Sequence, residues 1–293
     1  MSVSVVILTW NRKNDLRDML ESVKNQSLAA DECVVVDNGS RDGTPEMVES
    51  DYPWARLIRL ARNMGVEGWN IGIANARSDF AAVFDDDVTL PPDWIKNCMD
   101  VFAQAPEDAA VVSPKVKEPG MPEDYLCDPE YNSRRYVCTF AGNGFIAKRR
   151  ALIDAGLYRR ELFLYGNERD LAARLLNRGR RILHCPETLT LHKRAWPIRL
   201  SPFALRYTVR NYLIYLALYY SWGNLARLAA GVFARGAGKR NLPHSGFDSL
   251  KKSLLSAANW PAIAGGAAAF LFWIPYCAKH REVCRHPDFE PLL

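Results

Sequence analysis

Short apolar runs rich in β-branched residues alternate with amphipathic stretches along the first part of the chain. Between the first two runs, Leu16, Met19, Leu20 and Val23 recur at the spacing of one helix face. The runs are bounded by turn-forming residues, as buried strands are. The predicted strands cover residues 3–9, 32–36, 57–60, 80–84 and 109–113. This βαβ alternation predicts an α/β fold with a mostly parallel sheet flanked by helices.

The pattern changes after the fifth run. Residues 114–135 are polar and proline-rich and predict a long loop, which is followed by a helix at 168–177, a strand at 180–183 and an extended piece at 189–192. From residue 201 the sequence is typical of long helices, including one over 202–220. We therefore predict an α/β domain over residues 1–200 and a helical C-terminal region over residues 201–293.

The longest uncharged apolar stretch, residues 260–278, lies in that C-terminal region. Its length is at the lower limit for a membrane span, and two prolines and two glycines interrupt it. Basic residues flank it: Lys251, Lys252, Lys279, His280, Arg281 and Arg285. Two interpretations are open, a helix that lies on anionic lipid headgroups and a buried C-terminal helix with solvated basic ends.

Composition narrows the class of protein. The apolar fraction of 48% and the charged fraction of 24% are typical of a globular protein, and a net charge of +5 is too small to indicate a nucleic-acid partner. The seven cysteines are scattered without a CxxC pair, and no basic residue precedes the first apolar run. We therefore expect a cytoplasmic protein without disulfides, thiolate metal sites or a secretory signal.

Three consecutive aspartates, Asp85, Asp86 and Asp87, follow the fourth predicted strand. Side chains alternate along extended backbone, so Asp85 and Asp87 point to one side and Asp86 to the other. Two carboxylates at this spacing can hold Mg²⁺ or Mn²⁺ and bridge it to a diphosphate. The alternative is an acidic loop in water. Because the triplet ends a strand, we favour the metal site.

Asp37 ends the second predicted strand, within a run that continues Asn38-Gly39-Ser40. A carboxylate at this place can accept the N3–H of uracil or thymine, and glycine lets the backbone approach a ligand closely. The same residues also form ordinary turns, so this motif by itself leaves both interpretations open.

Four motifs follow one another along the chain. They are Ile-Leu-Thr-Trp-Asn-Arg at residues 7–12, Val-Asp-Asn-Gly-Ser-Arg-Asp-Gly-Thr at 36–44, Asn-Met-Gly at 63–65 and Phe-Asp-Asp-Asp at 84–87. In this order they resemble glycosyltransferase family 2, over residues 3 to about 194. The resemblance implies the GT-A fold of nucleotide-diphospho-sugar transferases, a divalent metal and transfer with inversion. It implies a nucleotide-diphospho-sugar donor contacted by Thr9, Asn11, Asp37, Asn63 and Asp86, and a metal held by Asp85, Asp87 and, as third ligand, His192. A lone histidine is more often structural, so a structural role for His192 is the open alternative.

The resemblance continues beyond the aspartates. Glu168 aligns with the catalytic aspartate that members carry at the start of a helix, and Asp170 is the alternative general base. In a different interpretation these carboxylates only pair with Arg169 or Arg174 on a solvated helix face. Residues 141–145 resemble the glycine-rich segment that lines the sugar pocket.

One departure concerns the type of donor. Gly68-Trp69-Asn70 lacks the arginine that many members have before the asparagine, which leaves the phosphate charge to the metal and to Arg62. The version in this chain looks more like the rhamnosyltransferase and galactofuranosyltransferase branches.

The sequence therefore predicts an inverting transferase that moves a sugar from a UDP- or dTDP-sugar to a hydroxyl of a glycan or lipid-linked glycan. We expect this transferase to act in the synthesis of cell-surface polysaccharide or lipopolysaccharide. Peripheral contact with the inner membrane surface and a homo-oligomer are open alternatives. A non-catalytic nucleotide-sugar-binding protein and a sugar nucleotidyltransferase compete with this function, although the first turn lacks the glycine-rich, basic loop of the latter. A dinucleotide-dependent oxidoreductase would have GxGxxG directly after the first strand. This chain has Thr-Trp-Asn-Arg there, at residues 9–12, which argues against that function.

Overall fold

A nine-stranded β-sheet is the centre of the computed structural model, which describes residues 1–195, 200–226 and 256–289. The strands are β1 (Val3–Thr9), β2 (Glu32–Asp37), β3 (Ala55–Arg59), β4 (Phe80–Asp85), β5 (Val88–Thr89), β6 (Ala109–Lys117), β7 (Arg135–Val137), β8 (Gly144–Lys148) and β9 (Arg181–His192). Their order is β3-β2-β1-β4-β8-β6-β9-β5, and β7 also pairs with β9.

Helices cover both faces of this sheet. They are α1 (Lys13–Lys24), α2 (Thr44–Asp51), α3 (Glu67–Asn75), α4 (Trp94–Gln104), α5 (Glu123–Leu126), α6 (Arg149–Asp154), α7 (Asn167–Asn177), α8 (Pro202–Tyr219), α9 (Trp260–Leu271) and α10 (Ile274–His280). The apolar face of α1 shares one buried core with α2 and α4. On the opposite face, α3, α6 and α7 enclose a second core. The predicted α/β class with flanking helices is confirmed.

The carboxyl ends of the first four strands meet at one edge. β3, β2, β1 and β4 are parallel, and their register places Thr9 beside Asp37 and Leu8 beside Asp85. The rest of the sheet is mixed, because β8 runs antiparallel between β4 and β6. The sequence predicts no strand over residues 144–148, where the structure has β8. Its antiparallel pairing brings the preceding glycine-rich segment to the edge that carries Asp85.

β9 is longer than the sequence predicts. The pieces expected at 180–183 and 189–192 form one strand, interrupted opposite Pro114 by a register shift from Cys185 to Leu189. Pro186 lies in that irregularity, where it has no N–H to donate. After the shift β6 continues to Lys117, so the loop predicted from residue 114 begins later.

The C-terminal helices form a further layer outside α7. Buried residues of α7, α8 and α10 share a third core. The apolar stretch 260–278 folds as two helices, α9 and α10, bent by 54°, with Pro275 in the first turn of α10. Within the described ranges no single helix meets the length and hydropathy of a membrane span, whereas this bent pair meets them jointly. Lys251 and Lys252 lie outside the described residues.

Candidate active site

Asp85, Asp87 and His192 come together at the carboxyl edge of the sheet. Each offers one ligand atom, and these three atoms lie within 4.8 Å of one another. Asp85 ends β4, Asp87 precedes β5, and His192 ends β9, where it pairs with Val88 of β5. The sheet thus assembles the three residues that the sequence predicts as metal ligands.

Asp87 is surrounded by cationic groups. His192 Nε2 lies 3.2 Å from its Oδ1, and Arg12 Nη1 lies 2.5 Å from its Oδ2. Burial would raise the Asp87 pKa, but the hydrogen bond and charge of His192, together with Arg12, lower this pKa to about 2. Burial lowers the His192 pKa, whereas hydrogen bonds to Asp87 and Glu118 raise it to about 9.

The pKa of Asp85 shifts in the opposite direction to that of Asp87. Its pKa is raised well above the usual value, first by burial and next by the charge of Asp87. A divalent cation between the two carboxylates would remove this repulsion. Two carboxylates and one imidazole are a donor set that suits Mn²⁺, so the residues present fit the metal implied by the sequence.

Asp86 faces away from this cluster, as predicted, although Asp86 and Asp87 lie in the turn between β4 and β5 and not on an extended strand. Its Oδ2 accepts a hydrogen bond of 2.8 Å from the Thr9 hydroxyl and one of 3.3 Å from the Trp10 amide. Burial raises the pKa of Asp86 to about 7. Thr9 and Asp86 are therefore joined between the ends of β1 and β4.

The other residues predicted to bind the donor lie at the end of β2 and in the loops that follow β1 and β3. Asp37 is buried, and its carboxylate accepts the Ser40 amide at 3.1 Å. Asn11, at φ +54°, accepts the Arg41 amide through Oδ1. Asn63 accepts hydrogen bonds from the Asn38 side chain and from a backbone amide in its own turn. These contacts join the loops that follow β1, β2 and β3 beside the aspartates.

Glu168 lies in the first turn of α7 and points toward the glycine-rich segment. A Cβ on Gly142 would overlap its Oε1, so glycine is needed for this approach. The next residue, Asn143, accepts the Asp85 amide through its backbone oxygen at 3.3 Å. Asn167 donates to Glu168 Oε1 at 2.8 Å, and burial raises the Glu168 pKa. This segment thus brings Glu168 next to the carboxylate cluster.

Asp170, two residues later, is fully engaged elsewhere. Its Oδ1 accepts from Arg159 Nε at 2.9 Å and from the Tyr219 hydroxyl at 2.7 Å. Its Oδ2 accepts from Arg174 at 2.6 Å. The residue is 1% exposed. These partners occupy both oxygens, and they join α7 to the C-terminal helix α8.

The sequence of this chain matches the model of a known protein family over the strands that carry the aspartates of this site. A model described as Glycosyl transferase family 2 matches residues 4–163, more than half of the chain. The chain belongs to glycosyltransferase family 2. The predicted family is therefore confirmed. The match includes the aspartate triplet and Asp37 but ends before Glu168 and His192.

Relatives of this family 2 chain are similar over parts of their length. The succinoglycan biosynthesis protein ExoO of Rhizobium meliloti is 37% identical over 100 residues, 33% of this chain and 29% of ExoO. The O-antigen chain rhamnosyltransferase RfbN of Salmonella typhimurium is 23% identical over 210 residues, 66% of each protein. The chain spans between about a quarter and two thirds of the length of several curated relatives that it matches.

The fold is shared with solved glycosyltransferase structures. The mannosyltransferase PcManGT from Pyrobaculum calidifontis, solved with GDP-Man and Mn²⁺, has a TM-score of 0.58 and 20% identity. The alignment covers 94% of this chain and 77% of PcManGT. The predicted GT-A fold is confirmed by this similarity.

Three further residues of this chain border the site, and the sequence analysis gives none of them an individual role. Arg12 pairs with Asp87. Arg62, which the sequence suggests as a cation for the phosphate charge, is exposed. Asn143 Oδ1 is buried without a hydrogen-bond partner among the described residues. Glu118 contacts His192. The motifs at residues 7–12 and 141–145 could have indicated that Arg12 and Asn143 lie at the site. The position of Glu118 could not be predicted, because it results from the pairing of β6 with β9.

The Asp170 network yields a prediction about stability. Replacing Asp170 by asparagine is expected to lower the free energy of unfolding of this protein by about 3–5 kcal/mol, because it leaves the half-buried Arg159 and buried Arg174 without a counter-charge. Denaturant unfolding measures this change. Asp154→Asn is the matched control, since it breaks an exposed pair with Arg150 at the same helix spacing and should cost less than about 0.5 kcal/mol. Equal losses in the two variants would show that the buried network does not stabilise the fold.

Proposed function

We propose that this chain transfers a glycosyl group, with inversion, from a UDP- or dTDP-sugar to a hydroxyl of a glycan or lipid-linked glycan. The observation that carries this proposal is the proximity of a half-buried Glu168 to the cluster of Asp85, Asp87 and His192. A base for the acceptor and a set of metal ligands for the diphosphate then stand at one edge of the sheet.

The relatives support the class of acceptor. ExoO is named for succinoglycan biosynthesis and RfbN for the O-antigen chain, and both materials are bacterial cell-surface polysaccharides. We infer a role in cell-surface polysaccharide or lipopolysaccharide assembly. RfbN also supports the rhamnosyltransferase-like branch that Gly68-Trp69-Asn70 suggests.

In the proposed reaction Glu168 accepts the proton of the acceptor hydroxyl as that oxygen bonds to the anomeric carbon. The bond from this carbon to the diphosphate breaks, and its electron pair leaves with the diphosphate oxygen. Asp85, Asp87 and His192 would hold a divalent cation, which supplies positive charge beside the leaving group. Burial raises the pKa of Glu168 and so makes it a stronger base than an exposed glutamate.

The donor would lie across the carboxyl ends of β1 and β2. Asp37 would accept the N3–H of the base, and Thr9 with Asp86 would border the ribose and diphosphate. Asn11 and Asn63 would position the loops after β1, β2 and β3 beneath the nucleotide. The unpartnered Oδ1 of Asn143 could accept a hydroxyl of the transferred sugar.

We further propose that residues 1–200 are the catalytic domain and that residues 201–293 contact the inner membrane surface. Large apolar side chains on and between α9 and α10 are exposed among the described residues: Trp260, Leu271, Phe272 and Ile274. Basic residues follow at the end of α10, and together these features are typical of a peripheral membrane contact. Such a contact would place the transferase near a lipid-linked acceptor.

A panel of nucleotide-sugars tests the donor. UDP- and dTDP-sugars, each with Mn²⁺, should raise the midpoint of thermal unfolding, since a ligand at 100 times its Kd stabilises by about 2.7 kcal/mol. GDP-Man, the ligand in PcManGT, serves as the comparison. Mn²⁺-dependent release of UDP or dTDP would support transfer or its hydrolytic side reaction. Binding without release would favour a non-catalytic binding protein, and formation of UTP or dTTP from pyrophosphate would favour a nucleotidyltransferase.

A further inference from the structure

His192 is held between two carboxylates by strand pairing. On one side β5 pairs with β9, which brings Asp87 to within 3.2 Å of Nε2. On the other side β6 pairs with β9 in a register that sets Lys117 opposite Leu191. Glu118 is the next residue after β6, and its Oε1 lies 2.7 Å from His192 Nδ1. The register of three strands therefore places one carboxylate on each ring nitrogen.

Glu118 is buried to an unusual degree for a carboxylate. It is 3% exposed, and its second oxygen, Oε2, has no hydrogen-bond partner among the described residues. A buried carboxylate with one unpartnered oxygen is destabilising unless nearby positive charge offsets it. The imidazole is its only direct polar side-chain partner within the described part of the chain. This geometry points to a function for Glu118 that is exerted on His192.

We propose that Glu118 is a positioning residue that accepts the Nδ1–H of His192 and thereby directs the Nε2 lone pair toward the cation site. A carboxylate on Nδ1 selects the tautomer whose Nε2 carries no proton, fixes the plane of the ring and strengthens Nε2 as a ligand. Glu118 itself contacts neither the donor nor the cation in this proposal. The inference rests on the proposed metal site of Asp85, Asp87 and His192.

Mn²⁺ affinity, measured by electron paramagnetic resonance titration of the purified full chain with Mn²⁺ alone, tests this role. Glu118→Ala should weaken Mn²⁺ binding by about 100-fold and Glu118→Gln by about 10-fold, since the amide oxygen of glutamine can still accept the Nδ1–H. Glu118→Gln is nearly the same shape, so it remains informative if the alanine variant fails to fold. Glu123→Gln, an exposed change five residues later, should leave the affinity unchanged.

A double-mutant cycle with His192→Ala separates positioning from a general structural role. If Glu118 acts through His192, Glu118→Ala should have no further effect on Mn²⁺ affinity in the His192→Ala background. Additive losses in the two backgrounds would overturn the positioning role while leaving the metal site intact. An unchanged Mn²⁺ affinity in His192→Ala alone would instead overturn the ligand set on which the proposal rests.

Discussion

Alanine at Asp87 is expected to lower Mn²⁺-dependent sugar transfer by about 10³-fold or more. The substitution removes the carboxylate that lies between His192 and Arg12 and that would hold the cation beside the diphosphate. Loss of charge stabilisation on the leaving group amounts to several kcal/mol, and each 1.4 kcal/mol is about a factor of ten in rate. Initial rates over a Mn²⁺ series, with saturating donor and acceptor, measure the effect.

Two variants control this experiment. Asp86→Asn changes the neighbouring carboxylate, which faces Thr9 and not the metal-ligand cluster. The Mn²⁺ affinity of this variant should therefore stay close to that of the wild type. Asp100→Ala removes an exposed carboxylate on α4 and should leave the rate unchanged. A wild-type rate in Asp87→Ala at every Mn²⁺ concentration would refute the assignment of Asp87 as a metal ligand.

Glutamine at Glu168 should reduce kcat by about 10²- to 10⁴-fold, the range expected when a general base is removed. The amide cannot take the proton of the acceptor hydroxyl, yet its oxygen can still accept the hydrogen bond from Asn167. The fold and the donor site should therefore be retained. Single-turnover kinetics together with a donor binding titration distinguish a lost chemical step from lost binding.

Asp170→Asn is the natural comparison for Glu168→Gln. Because Asp170 binds Arg159, Arg174 and Tyr219, we expect this variant to lose stability and to keep most of its kcat at low temperature, where it remains folded. The reverse outcome, an active Glu168→Gln and a folded but inactive Asp170→Asn, would show that the base is misassigned.

The location of the site followed from a rule about parallel sheets. Thr9, Asp37 and Asp85 each end a strand that the apolar pattern identifies, and such ends meet at one edge. The separation of Asp86 from its two neighbours agrees with the prediction from strand alternation, but it arises in a turn between β4 and β5. The strand ends depend on local sequence pattern, so the sequence alone could predict where the site lies.

Other features depend on contacts between distant segments. The strand β8 has a glycine at its start and basic residues at its end, so it carries little strand signal, and its antiparallel pairing with β4 defines it. The continuity of β9 past Pro186 results from pairing with β6. Glu118 lies in a stretch whose local pattern predicts a loop, and its contact with His192 arises from that same pairing. No local periodicity encodes such partners.

Asn211 of α8 limits how the chain can be divided. Its side-chain amide donates to the backbone oxygens of Leu162, Leu164 and Tyr165, which belong to the turn that leads into Glu168. A fragment that stops at residue 200 would strip those carbonyls of their donor and uncover the outer side of α7. Residues 1–200 would then hold the proposed catalytic groups, but we expect a stable fragment to extend at least through Tyr219, because α8 packs on α7.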